Sequence, residues 1–126
     1  MLVRRAAQCE ELTAGDESRL RELLHPRNDT PDLPFSLAIA RVEPGAATVP
    51  HRLAAHEVYY VLRGCAVMHV AAEVVPVAVG DAVHIAPAVV QWIENPGDEP
   101  LEFLAIVSPP WRAEDETVLA HGPGRA

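Results

Sequence analysis

Short apolar runs separated by turn residues dominate the chain from Phe35 onward. The turn signals between the runs are Pro-Gly at 44–45, Arg-Gly at 63–64 and Gly-Asp at 80–81. Strands of this length and spacing predict an all-β sandwich or barrel rather than alternating strands and helices. The predicted strands are the runs FSLAIARV, EVYYVL, AVMHV, VVPVAV, DAVHIAP, VVQWIEN and LEFLAIV.

The first 34 residues are mixed and polar, and their structure is less clearly defined by the pattern. Leu20, Leu23 and Leu24 have helical spacing, and Asp16 is suited to cap such a helix. The apolar cluster is short and Pro26 ends it, so a strand entering a barrel fits nearly as well. We expect one domain, with an N-terminal extension (1–34), a barrel (35–110) and a tail (111–126).

The segment PHRLAAHEVYYV places polar side chains where strands should face a cavity. Residues two apart in a strand point the same way, so His51 shares a face with Leu53 and Glu57 shares one with Tyr59. An imidazole and a carboxylate that enter one cavity from neighbouring strands can bind a divalent ion. Imidazole suits zinc, iron, nickel or copper, and carboxylate suits harder ions.

Two spaced motifs resemble those of the cupin superfamily. The first is glycine, five residues, His-x-His, three or four residues, Glu, six residues, glycine. Gly45, His51, Glu57 and Gly64 match it, and Leu53 stands where the second His is usual. In the second motif Gly80 and Asn95 match, whereas Ala86, Ala88 and Gln91 stand where Pro, Gly and the third His are usual. The chain is also similar to small single-domain cupins named mannose-6-phosphate isomerase-like.

This resemblance implies a jelly-roll β-barrel in which three His and one Glu hold a Mn, Fe, Ni, Cu or Zn ion. His51 and Glu57 match ligand positions, Leu53 cannot ligate, and Gln91 offers an amide oxygen. Two arrangements stay open. Either His51, Glu57 and Gln91 form a three-residue metal site, or Glu57 accepts hydrogen bonds from His51 and Gln91 beneath an organic ligand.

Whether another histidine replaces the ligand missing at Leu53 is also open at this stage. His56 should point away from the cavity unless the strand carries a bulge. His69 can face either side, and His84 is expected near the barrel mouth. Met68, Ile85, Val89 and Ile93 are predicted core residues.

Composition narrows the range of partners. The formal charge is −8 and the isoelectric point is about 5.1, which argues against nucleic acid and anionic membranes. No stretch approaches the roughly 20 apolar residues of a membrane span. The two cysteines, Cys9 and Cys65, are far apart and have no CxxC spacing, so reduced thiols in a cytoplasmic protein are expected. We predict a homodimer, because pairing of edge strands would cover exposed sheet edges.

Three functions are compatible with these residues. The first is a metal-dependent enzyme that acts on a small polar metabolite, such as a sugar or organic acid, in the barrel. The second is a non-enzymatic binding or sensing protein without metal. The third is a metal-free sugar isomerase or epimerase, with His51 as general base and Tyr59 as acid.

Overall fold

A computed structural model describes residues 1–119, which form strands joined by short connections. Single turns of 3-10 helix occupy Ala6–Gln8 and Ala113–Asp115. Within residues 1–119, no helix is long and apolar enough to cross a membrane. The strands are β1 (Leu12–Thr13), β2 (Arg19–Leu24), β3 (Ser36–Val42), β4 (His51–Leu53), β5 (His56–Arg63), β6 (Cys65–Val70), β7 (Glu73–Ala78), β8 (Ala82–Ile85), β9 (Gln91–Glu94), β10 (Leu101–Ser108) and β11 (Glu116–Val118).

The strands form two antiparallel sheets. One has the order β1-β2-β3-β10-β5-β8, and the other has the order β11-β4-β9-β6-β7. The strand order crosses between non-consecutive strands, as a jelly roll requires, so the predicted all-β jelly-roll fold is confirmed. Each of the seven predicted runs corresponds to one strand, because β-branched and aromatic residues favour the extended backbone of a sheet.

The core lies between the sheets. Strand β10 alternates strictly, with Leu101, Phe103, Ala105 and Val107 facing inward. Burial of one large apolar side chain stabilises the fold by about 1.5–3 kcal/mol, so this strand contributes strongly. Of the four predicted core residues, Met68, Ile85 and Ile93 are buried and Val89 packs at the edge of the core.

The residues before and after the barrel motifs extend both sheets. The leucine-rich segment is strand β2, and it pairs with β3 instead of forming a helix. Edge hydrogen bonds to β3 and the packing of Leu20 on the core outweigh weak helical spacing. After the barrel, β11 pairs with β4. Residues 120–126 of the predicted tail lie outside the described residues.

A buried histidine ties these two outer segments together. The ring nitrogen Nε2 of His25 lies 2.7 Å from the carbonyl oxygen of Trp111. Because a carbonyl oxygen only accepts, this nitrogen carries the proton. Trp111 also packs against Leu53, Ala55 and Val107, which anchors the tail on the barrel.

Several residues that match the motifs have structural roles. Gly64 has φ of +81°, and a Cβ there would lie 2.9 Å from the carbonyl oxygen of Pro100, so only glycine fits. The buried Asn95 amide donates to the carbonyls of Val42 and Glu99, and its oxygen accepts from the Gly97 N–H. These residues fix the turns that bring β5 and β9 to the site.

Ala88, where glycine is usual, has φ of +67°. A residue with a Cβ loses about 1–2 kcal/mol of stability in the left-handed region. Glycine avoids this strain, but it loses more backbone entropy on folding, which offsets part of the gain. We expect Ala88→Gly to stabilise the protein by about 1 kcal/mol, measured by denaturant unfolding with an unchanged m-value. Ala86→Gly in the same exposed segment is the control, because the φ of Ala86 is not positive. Equal effects of both variants would contradict the strain argument.

Candidate active site between the sheets

Four polar side chains converge between the sheets. His51 on β4 lies directly opposite Gln91 on β9 in one sheet, and Glu57 and Tyr59 lie on β5 in the other. All four are buried. Alternation along β4 and β5 therefore brings the predicted site residues to one place, as the sequence indicated.

Gln91 and Glu57 join the two sheets by a hydrogen bond. Gln91 Nε2 donates to Glu57 Oε1 over 2.5 Å. The amide oxygen of Gln91 is buried and has no hydrogen-bond partner among the described residues. Gln91 thus turns its nitrogen toward the carboxylate, as in the metal-free arrangement.

His51 is oriented by the backbone rather than by Glu57. Its Nδ1 lies 2.9 Å from the carbonyl oxygen of Val49, which only accepts, so Nδ1 carries the proton. In the neutral imidazole, Nε2 then holds the free lone pair. The metal-free arrangement predicted a hydrogen bond from His51 to Glu57, but the described residues contain no such bond.

Asp16 is a site residue that the sequence prediction missed. Its Oδ2 lies 3.9 Å from His51 Nε2, and its Oδ1 accepts from the backbone N–H and hydroxyl of Ser18. Its backbone carbonyl accepts from Val49 N–H, which holds this loop beside His51. The D-x-S pattern signals a local turn, but the contact with His51 is long-range and has no local signal.

A cavity of about 260 Å³ opens beside these groups. The polar lining residues include His51, Glu57, Tyr59, Asp16 and Glu116, and the apolar ones include Ala40, Phe103 and Ala105. Ligand pockets typically measure roughly 300–1,000 Å³, so this cavity suits a small metabolite. Gln91 supports Glu57 but is not among the lining residues.

Burial changes the acid–base properties of the site. It raises the pKa of Glu57 to about 7, against the lowering effects of the Gln91 hydrogen bond and of His51. Burial also raises the pKa of Tyr59 well above its usual range, and the charge of Glu57 adds to this. Tyr59 therefore stays a neutral phenol, whereas Glu57 populates both protonation states near neutral pH.

The other histidines of the barrel lie away from this cavity. His56 and His84 are exposed and stack on each other, with Nδ1 of His56 3.0 Å from Nε2 of His84. His69 stacks on Trp92 and binds Glu94 over 2.6 Å. None of the three lines the cavity, so none replaces the ligand that is missing at Leu53.

The donor set does not fit a cupin metal centre with four ligands. Leu53 packs against apolar neighbours, and the Gln91 amide presents its nitrogen to Glu57. Within the part of the chain that the structure describes, no group of three or more His, Cys, Asp or Glu residues could hold a metal ion. A three-residue site would require the Gln91 amide to turn around.

Comparison with known proteins identifies the family. The profile of the family described as "Cupin domain" matches residues 38–107. The chain is 39% identical over 105 residues to the uncharacterized protein MJ1618 of Methanocaldococcus jannaschii. The aligned segment covers 82% of this chain and 83% of that protein. The chain belongs to the cupin family.

Solved structures agree with this assignment. A crystal structure described as a predicted oxalate decarboxylase from Thermotoga maritima matches with a TM-score of 0.76 and 25% identity, over 86% of this chain and 99% of that chain. A structure of Bacillus subtilis oxalate decarboxylase, studied for its Mn(II) centres, matches with a TM-score of 0.78 and 27% identity. That match covers 91% of this chain but only 31% of the Bacillus chain.

Proposed function

We propose that this cupin binds a small polar metabolite in the barrel cavity and exchanges protons with it through His51 and Glu57. The observation that carries the proposal is the convergence of His51, Glu57 and Tyr59 on one cavity from both sheets. Convergent polar groups in an otherwise apolar cavity are the usual mark of a ligand site. The activity that fits best is a metal-free isomerisation or epimerisation.

The two groups would have different roles in such a reaction. His51 Nε2 would act as the base that takes a proton from a carbon next to a carbonyl. Protonated Glu57 would give a proton to the carbonyl oxygen. The raised pKa of Tyr59 favours a neutral phenol that holds Glu57 in place, so we assign the acid role to Glu57 rather than to Tyr59.

A metal-dependent enzyme is the second candidate. It is favoured by the motif spacing of His51 and Glu57, by the unpartnered amide oxygen of Gln91, and by the likeness to a decarboxylase with Mn(II) centres. Leu53 and the orientation of Gln91 count against it.

A homodimer is also proposed, supported by exposed Val74 and Val75 on edge strand β7. Cys9 and Cys65 are free thiols, which supports a cytoplasmic location.

Ligand binding to the intact protein tests the main proposal. We expect a compound from a panel of sugars and small organic acids to raise the melting temperature. His51→Ala should weaken its affinity at least about tenfold, because a buried contact to a charged or polar ligand contributes about 1.5–3 kcal/mol. His56→Ala is the matched control, since that imidazole is exposed on the outer face of β5. Equal binding by both variants would contradict the proposed site.

Proton exchange separates an enzyme from a binding protein. In deuterated water, turnover should place deuterium at the carbon next to the ligand carbonyl. Glu57→Gln should abolish this incorporation while the ligand still binds. Binding without any incorporation by the wild type would instead support the sensing alternative.

A further inference from the structure

The charges around the cavity are strongly unequal. The carboxyl groups of Asp16, Glu57 and Glu116 line it, and a fourth carboxylate, Glu22, is paired with Arg27 at 2.7 Å. Arg27 and His51 are the only lining residues with basic side chains among those described. Because Arg27 is already paired, the rest of the lining carries a negative potential.

Two of these carboxylates lie outside the cupin motifs. Asp16 precedes β2 and Glu116 begins β11. Glu116 Oε2 accepts from the indole N–H of Trp111 over 3.3 Å. A Cβ on Gly15 would lie 2.5 Å from Glu116 Oε1, so the glycine leaves room for this carboxylate. Both acidic groups are therefore fixed by specific contacts at the cavity wall.

The acidic groups suit an organic cation better than a metal ion. A metal ion requires several ligand atoms at about 2.0–2.6 Å from one point, and the described residues contain no such group. An ammonium group donates three hydrogen bonds in different directions, so its acceptors need not converge on one point.

A further feature indicates that a ligand donates into this cavity. Asp16 is buried, its Oδ1 accepts from Ser18, and its Oδ2 lies 3.9 Å from His51 Nε2, beyond hydrogen-bond distance. An ammonium N–H of the ligand would satisfy this oxygen and would leave the Nε2 lone pair of His51 free to act as the base.

We infer that the metabolite bound by this cavity is a small carbonyl compound that also carries an aliphatic amine, as an amino sugar or amino ketone does, and that Asp16 and Glu116 hold its ammonium group. This inference rests on the proposed function and specifies its ligand. A dicarboxylate such as oxalate would meet three carboxyl groups and no unpaired lining cation, so this cavity disfavours it.

Three four-carbon compounds that differ only in their end groups provide the test: putrescine, butanediol and succinate. Each is titrated into the intact protein by calorimetry, with thermal shift in parallel. Putrescine should bind at least tenfold more tightly than the other two. Its affinity should fall as ionic strength rises, since screening weakens the attraction.

Matched variants locate the binding. Asp16→Asn and Glu116→Gln keep the shape and the hydrogen-bonding oxygen of each side chain, and each should weaken putrescine binding at least tenfold. Asp98→Asn removes one charge at an exposed loop position and should leave the affinity unchanged. A similar loss in all three variants would show only a general charge effect and would overturn the inference.

The remaining outcomes also decide between the two proposals. If succinate or butanediol binds as tightly as putrescine, or if putrescine does not bind, the amine inference fails. The proposed function then still stands if the metabolite panel yields binding that depends on His51. If no compound in either experiment binds, both fail.

Discussion

Wild-type protein purified without chelator should contain far less than one equivalent of Mn, Fe, Ni, Cu or Zn, whereas the Leu53→His/Gln91→His variant should bind about one. The variant restores imidazoles at the two motif positions that depart from the cupin pattern. Leu53 lies on the same face of β4 as His51, and Gln91 lies opposite His51 across the sheet. Three His and one Glu would then provide a full ligand set.

The measurement is elemental analysis of dialysed protein after incubation with each metal. The double variant should also melt at a higher temperature with metal than with chelator, because a metal that binds only the folded state stabilises it. The single variants and the double variant with His51→Ala are the controls. A buried imidazole without its metal is costly, so the apo form of the variant is expected to be less stable than wild type.

The opposite result would revise the proposed function. Stoichiometric metal in the wild type that disappears in His51→Ala would mean that Gln91 turns its amide oxygen to an ion. The metal-dependent candidate would then replace the metal-free one. Metal binding by wild type that His51→Ala leaves unchanged would lie outside the barrel cavity and would not bear on this site.

The stability of the wild type should fall relative to Glu57→Gln as the pH rises from 5 to 8. Burial raises the pKa of Glu57 from 4.5 to about 7, so the folded state binds this proton more tightly than the unfolded state does. The resulting stabilisation is fully present below about pH 4.5 and is lost as the pH passes 7. By proton linkage, this pKa shift changes the free energy of unfolding by about 2–3 kcal/mol between pH 5 and 8.

Denaturant unfolding of both proteins at several pH values measures this effect. Other titrating groups contribute equally to the two curves, so their difference isolates Glu57. The difference should be largest above pH 7, where the wild-type carboxylate is charged and buried. Parallel curves for wild type and Glu57→Gln would show that Glu57 has an ordinary pKa in the folded protein.

The sequence carries the positions of the candidate site residues along each strand, but not their contacts with distant segments. Strand alternation and motif spacing predicted that His51, Glu57 and Gln91 lie near one another, and the structure brings these side chains together. Alternation and spacing are readable in the sequence because they depend on residues a few positions apart. The orientation of the Gln91 amide depends on the opposite sheet, and Asp16 reaches His51 through the Val49 backbone. Such contacts between distant segments have no periodic signal, so the acidic wall of the cavity went unpredicted.

The choice between helix and strand at residues 19–24 depended on the same kind of information. The spacing of Leu20, Leu23 and Leu24 fits a helix, and the local sequence contains no clear preference for a strand. The exposed edge of β3 supplies the hydrogen-bond partners that decide the matter. The seven predicted strands are visible in the sequence because they are rich in apolar residues, whereas the more polar β2 is determined by its pairing with β1 and β3.

The contact between His25 and the Trp111 carbonyl has a consequence for how selectivity can change in such a scaffold. It fastens together two segments outside the barrel motifs, one that carries Asp16 and one that carries Glu116. The proposed proton-transfer groups, His51 and Glu57, belong to the barrel strands, whereas Asp16 and Glu116 belong to these two outer segments. Exchanging both segments together is expected to change the ligand preference while His51 and Glu57 stay in place.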